Sequence, residues 1–261
     1  MSTLFTGISE LRTVSERGTL NDAALVAKSG PISCIGPASE APAADEKVDL
    51  GGRAVLPGWV DSHTHMVFDG DRSAEFEARI SGGSYEAGGI AVTMDATRQA
   101  GTDRLDKLVA DRVAAGRRGG TTTFETKTGY GLNTESEVEA AKVASRHVDD
   151  VTFLGAHLVP PGADAEDYLD EVVGPMLEGV APYVQWIDVF CERGAFNEEQ
   201  SRRVLEAGKK LGLGLRVHGN QLGEGPGVAL AVELGAASVD HVNHLSDEDV
   251  ELLANSDTVA T

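Results

Sequence analysis

The sequence is short of cysteine, of basic residues and of long apolar runs. Cys34 and Cys191 are its only cysteines, too few for a disulfide framework, so a reducing cytoplasm is the expected compartment. Twenty-two Lys and Arg face 42 Asp and Glu, and the resulting net charge of −20 repels nucleic acid and anionic membranes. We therefore expect no nucleic-acid partner and no membrane partner.

No apolar run approaches the ~18 residues that a membrane helix needs. The first ten residues lack the basic start and apolar core of a secretory signal. With 41% hydrophobic residues the chain folds rather than staying disordered. Its length suits one large α/β domain, or one such domain with a small attachment.

Residues 1–54 read as short strands and turns, without evident catalytic residues. The segment Ala23–Gly36 predicts a hairpin, since two apolar runs flank a Lys-Ser-Gly-Pro turn. We assign residues 1–54 to a small N-terminal domain and residues 55–261 to a second, larger one.

From residue 55 onward the pattern alternates between strands and helices. The predicted strands are Val55–Asp61, Thr121–Thr126, Val151–Ala156, Val184–Phe190, Gly214–Val217, Ser238–Asp240 and Asp257–Thr261. The clearest helices are Thr97–Arg118, Thr134–His147, Glu166–Gly179, Asn197–Leu211, Gly225–Leu234 and Ser246–Ala254. Repeated strand–helix units predict parallel strands with right-handed crossovers.

Two α/β architectures fit this alternation, an open doubly wound sheet and a (β/α)₈ barrel. No Gly-rich dinucleotide fingerprint follows any strand. Polar residues instead follow nearly every strand at its C-terminal end, where barrel enzymes build their sites. We therefore predict a TIM-like barrel, here incomplete, because only six strands and the start of a seventh precede Thr261.

Histidines at the ends of these strands predict a metal site. His63 and His65 follow the first strand two residues apart, so both imidazoles face the same side and can share one Zn or Fe ion. Six of the seven histidines lie at or just after strand ends: His63, His65, His157, His218, His241 and His244. His218, at the end of the fifth strand, is the predicted third ligand. His147 lies at a helix end, and His244 is expected in a loop.

Several segments together resemble the imidazolonepropionase family of the amidohydrolase superfamily. The stretch Val55–His65 is similar to the opening motif of the superfamily. The blocks similar to the family itself are Val67–Arg72, Lys127–Leu132, Phe153–His157, Asp188–Glu192 and His218–Leu222. The resemblance covers about residues 20–261, and the blocks are specific in combination.

The resemblance implies a mononuclear Zn or Fe barrel beside a small β-sandwich, of which residues 1–54 would be the N-terminal part. It implies hydrolysis of the cyclic amide of 4-imidazolone-5-propanoate, a small-molecule substrate, to N-formimidoyl-L-glutamate in histidine degradation. Metal ligands map onto His63, His65 and His218, and substrate-binding positions onto Arg72, Tyr130, His157 and Gln221. A homodimer is kept open as an assembly.

The chemistry of these side chains suits the implied roles. Arg72 can bind the substrate carboxylate through two parallel hydrogen bonds, and Gln221 can both donate to and accept from the ring. His157 and His241 are both candidates for stabilising the oxyanion or carrying protons, and the sequence does not rank them. Glycines beside Tyr130 allow a tight loop with an exposed ring, although a packed turn tyrosine is the alternative.

Lys127 follows the second strand, where a carboxylated lysine bridging two metals is conceivable. We prefer a buried ion pair, for which Glu125 is the candidate partner. Glu192 ends the fourth strand and could contact the substrate or a ligand histidine.

The sequence departs from the family's pattern in two places. The segment Ser84–Ile90 is shorter than expected. The family's fourth ligand, an Asp after the eighth strand, has no counterpart here, and Asp240 is expected to point away from the site because it precedes His241. We therefore expect weak metal retention and negligible turnover from this chain.

Two other functions remain open. One is a different amidohydrolase such as a deaminase, which would not particularly need the Arg72 carboxylate contact. The other is an inactive metal-binding fragment.

Overall fold

The structure, a computed structural model, describes residues 1–82 and 89–261, and gives only the backbone of residues 74, 75, 78, 79 and 89–92. Two units span residues 1–59 and 60–261. The predicted domain boundary after residue 54 stays a prediction. Most of the predicted short segment Ser84–Ile90 lies outside the described residues.

The first unit is built on one four-stranded sheet. Its strands are β1 (Ser2–Arg12), β2 (Thr19–Lys28), β3 (Ile32–Pro37) and β4 (Glu46–Val55), in the order β3-β2-β1-β4. Strands β2 and β3 pair antiparallel, which confirms the predicted hairpin, whereas β1 and β4 pair parallel. Ile8, Leu11 and Ala23 form a buried apolar cluster in this unit.

The second unit contains a seven-stranded sheet in simple sequential order. Its strands are β5 (Trp59–Asp61), β6 (Thr121–Lys127), β7 (Asp150–Ala156), β8 (Trp186–Cys191), β9 (Gly214–Gly219), β10 (Ser238–His241) and β11 (Val259–Ala260). The pairings from β6 to β11 are parallel. The predicted parallel barrel strands are therefore confirmed.

The sheet curls, as side chains from distant strands show. Arg216 on β9 donates to the Ser62 carbonyl, which directly follows β5, at 3.1 Å. Three strands lie between β5 and β9 in the sheet, so a flat sheet would hold these residues about 19 Å apart. The curl gathers the C-terminal strand ends around one point, as in a TIM-like barrel.

The first barrel strand is shorter than predicted. The apolar stretch from residue 55 onward was expected to form one strand to Asp61, but β4 ends at Val55 and β5 begins only at Trp59. Pro57 and Gly58 lie between them. Proline lacks the N–H that a strand ladder requires, and glycine disfavours extended pairing, so the run is divided.

Helices cover the sheet between the strands. They are α1 (Ser73–Ile80), α2 (Gly89–Ala100), α3 (Thr102–Arg118), α4 (Thr134–Ala144), α5 (Ala165–Glu171), α6 (Leu177–Val180), α7 (Glu198–Lys210), α8 (Gly227–Leu234) and α9 (Asp247–Ala254). Asn197 and Ser246 form capping boxes at the starts of α7 and α9.

Two predicted helices are interrupted. Thr97–Arg118 was expected to be continuous, but Gly101 takes a φ of +69° and separates α2 from α3. Glu166–Gly179 is broken by Gly174 and Pro175, where one π-helical turn joins α5 to α6, because proline cannot donate the next helical hydrogen bond.

The core of the second unit lies between the sheet and these helices. Leu105, Val109 and Val113 repeat every four residues on α3 and form its buried face. The side chains that line the interior of the curled sheet include several charged groups. Within the described residues, no helix is both long and apolar enough to cross a membrane.

Candidate metal centre and substrate site

His63 and His65 follow β5 and turn their rings to the same point. Their Nε2 atoms are 3.3 Å apart. Thr64 between them is tied to β6: its N–H and hydroxyl donate to Glu125, and its carbonyl accepts from the Lys127 N–H at 2.9 Å. These bonds hold Thr64 against the neighbouring strand and leave both imidazoles facing the barrel interior.

His218 completes the group from the far side of the sheet. It lies on β9, is buried, and places its Nε2 3.4 Å from that of His65. A tetrahedral ion at roughly 2.0–2.1 Å from each nitrogen would hold them about 3.3–3.4 Å apart. These residues, which we call the three-histidine cluster, have a donor set and spacing that can hold a metal ion.

Two buried carboxylates orient the cluster. Asp240 Oδ2 lies 2.7 Å from His63 Nδ1, and Asp188 Oδ2 lies 2.9 Å from His218 Nδ1. A carboxylate at Nδ1 holds the proton there and turns the Nε2 lone pair towards the shared point. Burial raises the pKa of Asp240 and Asp188, but hydrogen bonds and charges from the histidines and Lys127 outweigh it, so both pKa values are lowered.

The position of Asp240 contradicts the sequence prediction. Asp240 was expected to point away from His241's side of the strand, but its carboxylate reaches His63. The alternation fails because β10 ends here: His241 has a φ of +80° and Val242 a φ of +38°. With the backbone turned in this way, the His241 ring also lies near the cluster, 5.1 Å from His63 and 5.0 Å from His218 between centroids.

Lys127 is fully buried beneath the cluster. Its Nζ lies 3.0 Å from Glu125 Oε1, 3.0 Å from Asp188 Oδ2 and 3.4 Å from Asp240 Oδ2. The predicted ion pair with Glu125 is therefore confirmed. Burial lowers the pKa of Lys127, but the negative charges of Asp188, Glu125 and Asp240 raise it by more. Its pKa therefore lies above the ordinary value, and the ammonium form is favoured.

His157 follows β7 and stacks on His65, with ring centroids 5.6 Å apart. Its Nδ1 lies 2.8 Å from the Gly129 carbonyl, which can only accept, so the proton resides on Nδ1. Burial and the neighbouring His218 lower the pKa of His157 to about 3. The ring is therefore neutral, with Nε2 as an acceptor.

Tyr130 belongs to the loop that also carries Gly129. Its ring lies 5.9 Å from that of His65 and 5.5 Å from that of His157, and only 8% of the residue is exposed. The loop is held by Glu137 on α4, whose two carboxylate oxygens accept backbone N–H groups from both sides of Tyr130. Tyr130 is a packed residue at the edge of the site rather than an exposed one.

Arg72 and Gln221 are both half-buried. Arg72 lies in the loop after His65, and its positive charge is the smallest of the causes that shift the pKa of His157, which burial lowers most. Gln221 follows the cluster residue His218 by three positions, and its N–H donates to Glu192 Oε2 at 3.1 Å. Glu192 therefore fixes the loop that carries Gln221, through backbone groups, in addition to its contact with Arg193.

The other two histidines lie elsewhere, as predicted. His147 pairs with Asp106 at 3.0 Å, and His244 is exposed in a loop. Sequence reasoning missed the roles of Asp188 and Glu137. An acid in the middle of the apolar strand Trp186–Cys191 was a usable signal for the first, because a buried carboxylate needs a partner.

Comparisons with known proteins place this geometry in a family. No family model matches the chain. The imidazolonepropionase of Arthrobacter sp. (strain FB24) is 65% identical over 257 residues, covering 98% of this chain and 64% of the relative. That of Saccharopolyspora erythraea is 63% identical, covering 100% of this chain and 67% of the relative.

The chain belongs to the imidazolonepropionase family. The predicted family is therefore confirmed. The chain spans about two thirds of the length of these imidazolonepropionases.

Solved structures support the fold. A Xaa-Pro dipeptidase with bound methionine superposes with a TM-score of 0.67 at 17% identity, over 100% of this chain and 66% of the other. An adenosine deaminase from Xanthomonas campestris with bound Zn gives 0.64 at 17% identity, over 99% and 61%. At such identities the likeness confirms the predicted amidohydrolase-type α/β fold and nothing finer.

Proposed function

We propose that this member of the imidazolonepropionase family hydrolyses the cyclic amide of 4-imidazolone-5-propanoate to N-formimidoyl-L-glutamate. The observation that carries the proposal is the convergence of His63, His65 and His218, with Tyr130 and His157 packed against them. Relatives of 63–65% identity bear the name of this activity. A reaction of this kind belongs to histidine degradation.

We propose that the three-histidine cluster holds one Zn or Fe ion. Three imidazoles suit either metal, and the Nε2 separations of 3.3 and 3.4 Å match a tetrahedral site. The carboxylates at the Nδ1 atoms of His63 and His218 complete the fit. The ion would supply the activation of water and the polarisation of the ring carbonyl.

The surrounding residues would bind and orient the substrate. Arg72, whose charge already reaches His157, would bind the propanoate carboxylate, and Gln221 would bind the ring nitrogens and oxygen. Tyr130 would contact the ring. The roles of these residues rest on their position and on the family resemblance.

His157 and His241 are the proposed catalytic histidines. The Nε2 of His157 is an acceptor because its Nδ1 proton is engaged by Gly129. A hydroxyl or ring N–H of the substrate could therefore donate to it. The His241 ring lies beside those of His63 and His218. It would hold or move a proton at the ring carbonyl that is attacked or at the ring nitrogen that leaves.

We further propose a two-domain organisation with a boundary near residue 54, a cytoplasmic location, and a homodimer as an assembly to be tested. Two free cysteines and an acidic surface support the location.

The proposal is tested by incubating the Zn- or Fe-loaded protein with imidazolone propanoate. In a protein extended to the length of its relatives we expect loss of the ring's ultraviolet absorbance and formation of N-formimidoyl-L-glutamate, identified by mass spectrometry. For the 261-residue chain alone we expect negligible turnover. His65→Ala, with the same preparation, is the control and should be inactive. Turnover of purine or guanidino substrates with release of ammonia, but not of imidazolone, would favour a deaminase. Zn binding without any turnover would favour a metal-binding role alone.

A further inference from the structure

Among the described residues, Lys127 contacts both of the carboxylates that orient the three-histidine cluster. The oxygen of Asp188 that lies 2.9 Å from His218 Nδ1 and the oxygen of Asp240 that lies 2.7 Å from His63 Nδ1 both contact its Nζ. The result is a continuous chain of contacts from one ligand histidine to the other. Its order is His63, Asp240, Lys127, Asp188 and His218.

The charges in this chain need a cation at its centre. Oxygens of Asp188 and Asp240 lie within 4.8 Å of each other, and both residues are buried. Two ionised carboxylates at that distance repel each other strongly away from water. Glu125, also in contact with Nζ, adds a third negative charge. An ammonium among the three offsets the repulsion and fixes their directions by hydrogen bonding.

A carboxylate that turns away would release its histidine. Asp240 is the contact of His63 Nδ1, and Asp188 is the contact of His218 Nδ1. Without them either ring can rotate, and the Nε2 atoms lose their common direction. The orientation of His63 and His218 therefore depends on Lys127, which holds both aspartates although it is not itself a proposed metal ligand.

We propose that Lys127 is a positioning residue of the metal site. Its ammonium holds Asp188 and Asp240 so that each keeps its histidine's Nε2 directed at the shared point before an ion binds. This inference rests on the metal role proposed above. It gives the buried lysine a task beyond the structural pair with Glu125.

The test is Lys127→Met, which keeps the length of the side chain and removes its charge. Zn²⁺ affinity is measured by competition with a chromogenic chelator, without substrate. We expect Zn²⁺ to bind at least tenfold more weakly. Arg98→Met is the control, since it removes a cation that donates to the Gly131 and Leu132 carbonyls and has no contact with the three-histidine cluster or its carboxylates. Its Zn²⁺ affinity should change less than threefold.

A second variant separates positioning from charge balance and guards against unfolding. Lys127→Met with Glu125→Gln removes one positive and one negative charge and keeps both orienting aspartates. Glu125→Gln alone is measured beside it, because Glu125 also accepts from the Thr64 N–H. We expect it to bind Zn²⁺ as weakly as the single variant, because Asp188 and Asp240 still repel each other. Circular dichroism verifies that each variant is folded.

Unchanged or tighter Zn²⁺ binding in the folded variants would overturn the proposal, since the lysine would then only screen charge or fill space. Asp188→Asn adds a further check: its effect and that of Lys127→Met should be less than additive, because both act through one chain of contacts. The assay uses no substrate. A protein that binds Zn²⁺ in this Lys127-dependent way and still fails to open imidazolone propanoate would refute the proposed function alone.

Discussion

Gly129 has a positive φ and packs closely against the Leu154 backbone, and a larger residue would tolerate neither. Replacing Gly129 therefore tests how its loop positions His157 in the substrate site. Its φ is +105°, and a Cβ there would lie 2.6 Å from the Leu154 carbonyl oxygen and 3.1 Å from His157 Nδ1. The first neighbour is backbone and cannot rotate away. We therefore predict that Gly129→Ala both destabilises the protein and displaces His157.

The magnitude follows from two contributions. A positive φ costs an alanine about 1–2 kcal/mol. Forcing a methyl group against fixed neighbours costs roughly 1–3 kcal/mol more. Gly162 is the matched control, because it has a φ of +82° and no heavy atom within 4 Å of the added Cβ. Gly162→Ala should lose only the first contribution, and the entropic gain from removing a glycine applies to both variants.

Urea unfolding measures both variants against the unmodified protein. We expect the free energy of unfolding to fall by about 1–3 kcal/mol more for Gly129→Ala than for Gly162→Ala, with unchanged slopes against urea. In the turnover assay only Gly129→Ala should impair substrate binding, because its carbonyl is the acceptor for His157. Equal losses of stability in the two variants would refute the argument from the Leu154 contact.

Two further predictions concern single side chains. Arg72→Ala should raise KM for imidazolone propanoate more than KM for an analogue without the carboxylate. The difference should correspond to a binding free energy on the order of 2 kcal/mol, because Arg72 is only half-buried. Equal effects on the two substrates would exclude the carboxylate contact. Iodoacetamide at pH 8 should alkylate the exposed Cys34 but not Cys191, because burial raises the pKa of the Cys191 thiol. Mass spectrometry should find a second adduct only after unfolding. Two adducts on the folded protein would contradict the burial of Cys191.

The sequence predicted the strands of the barrel well, because their apolar runs are short and end in polar residues. The same pattern placed six histidines at strand ends, and the geometry of parallel strands then implied that several would meet. The meeting of His63, His65 and His218 needed no distance information beyond strand order. The weakest part was the first strand, where Pro57 outweighs the apolar composition around it.

What the sequence withheld was the direction of particular side chains and the identity of distant partners. Asp240 was misjudged because strict alternation assumes extended backbone, whereas His241 takes a positive φ. The three carboxylates around Lys127 come from β6, β8 and β10, so no local pattern could reveal that they surround one nitrogen. Such contacts depend on how far the sheet curls.

The tie between Thr64 and β6 has a consequence for the order of folding. Thr64 and Glu125 are 61 positions apart in the chain, and His65 and His218 are 153 apart. Closing loops of that length is slow relative to forming local helices and turns. The Nε2 atoms of His63, His65 and His218 therefore meet only after β9 has joined the sheet. A metal ion present during refolding should then slow unfolding of the folded protein without accelerating its folding.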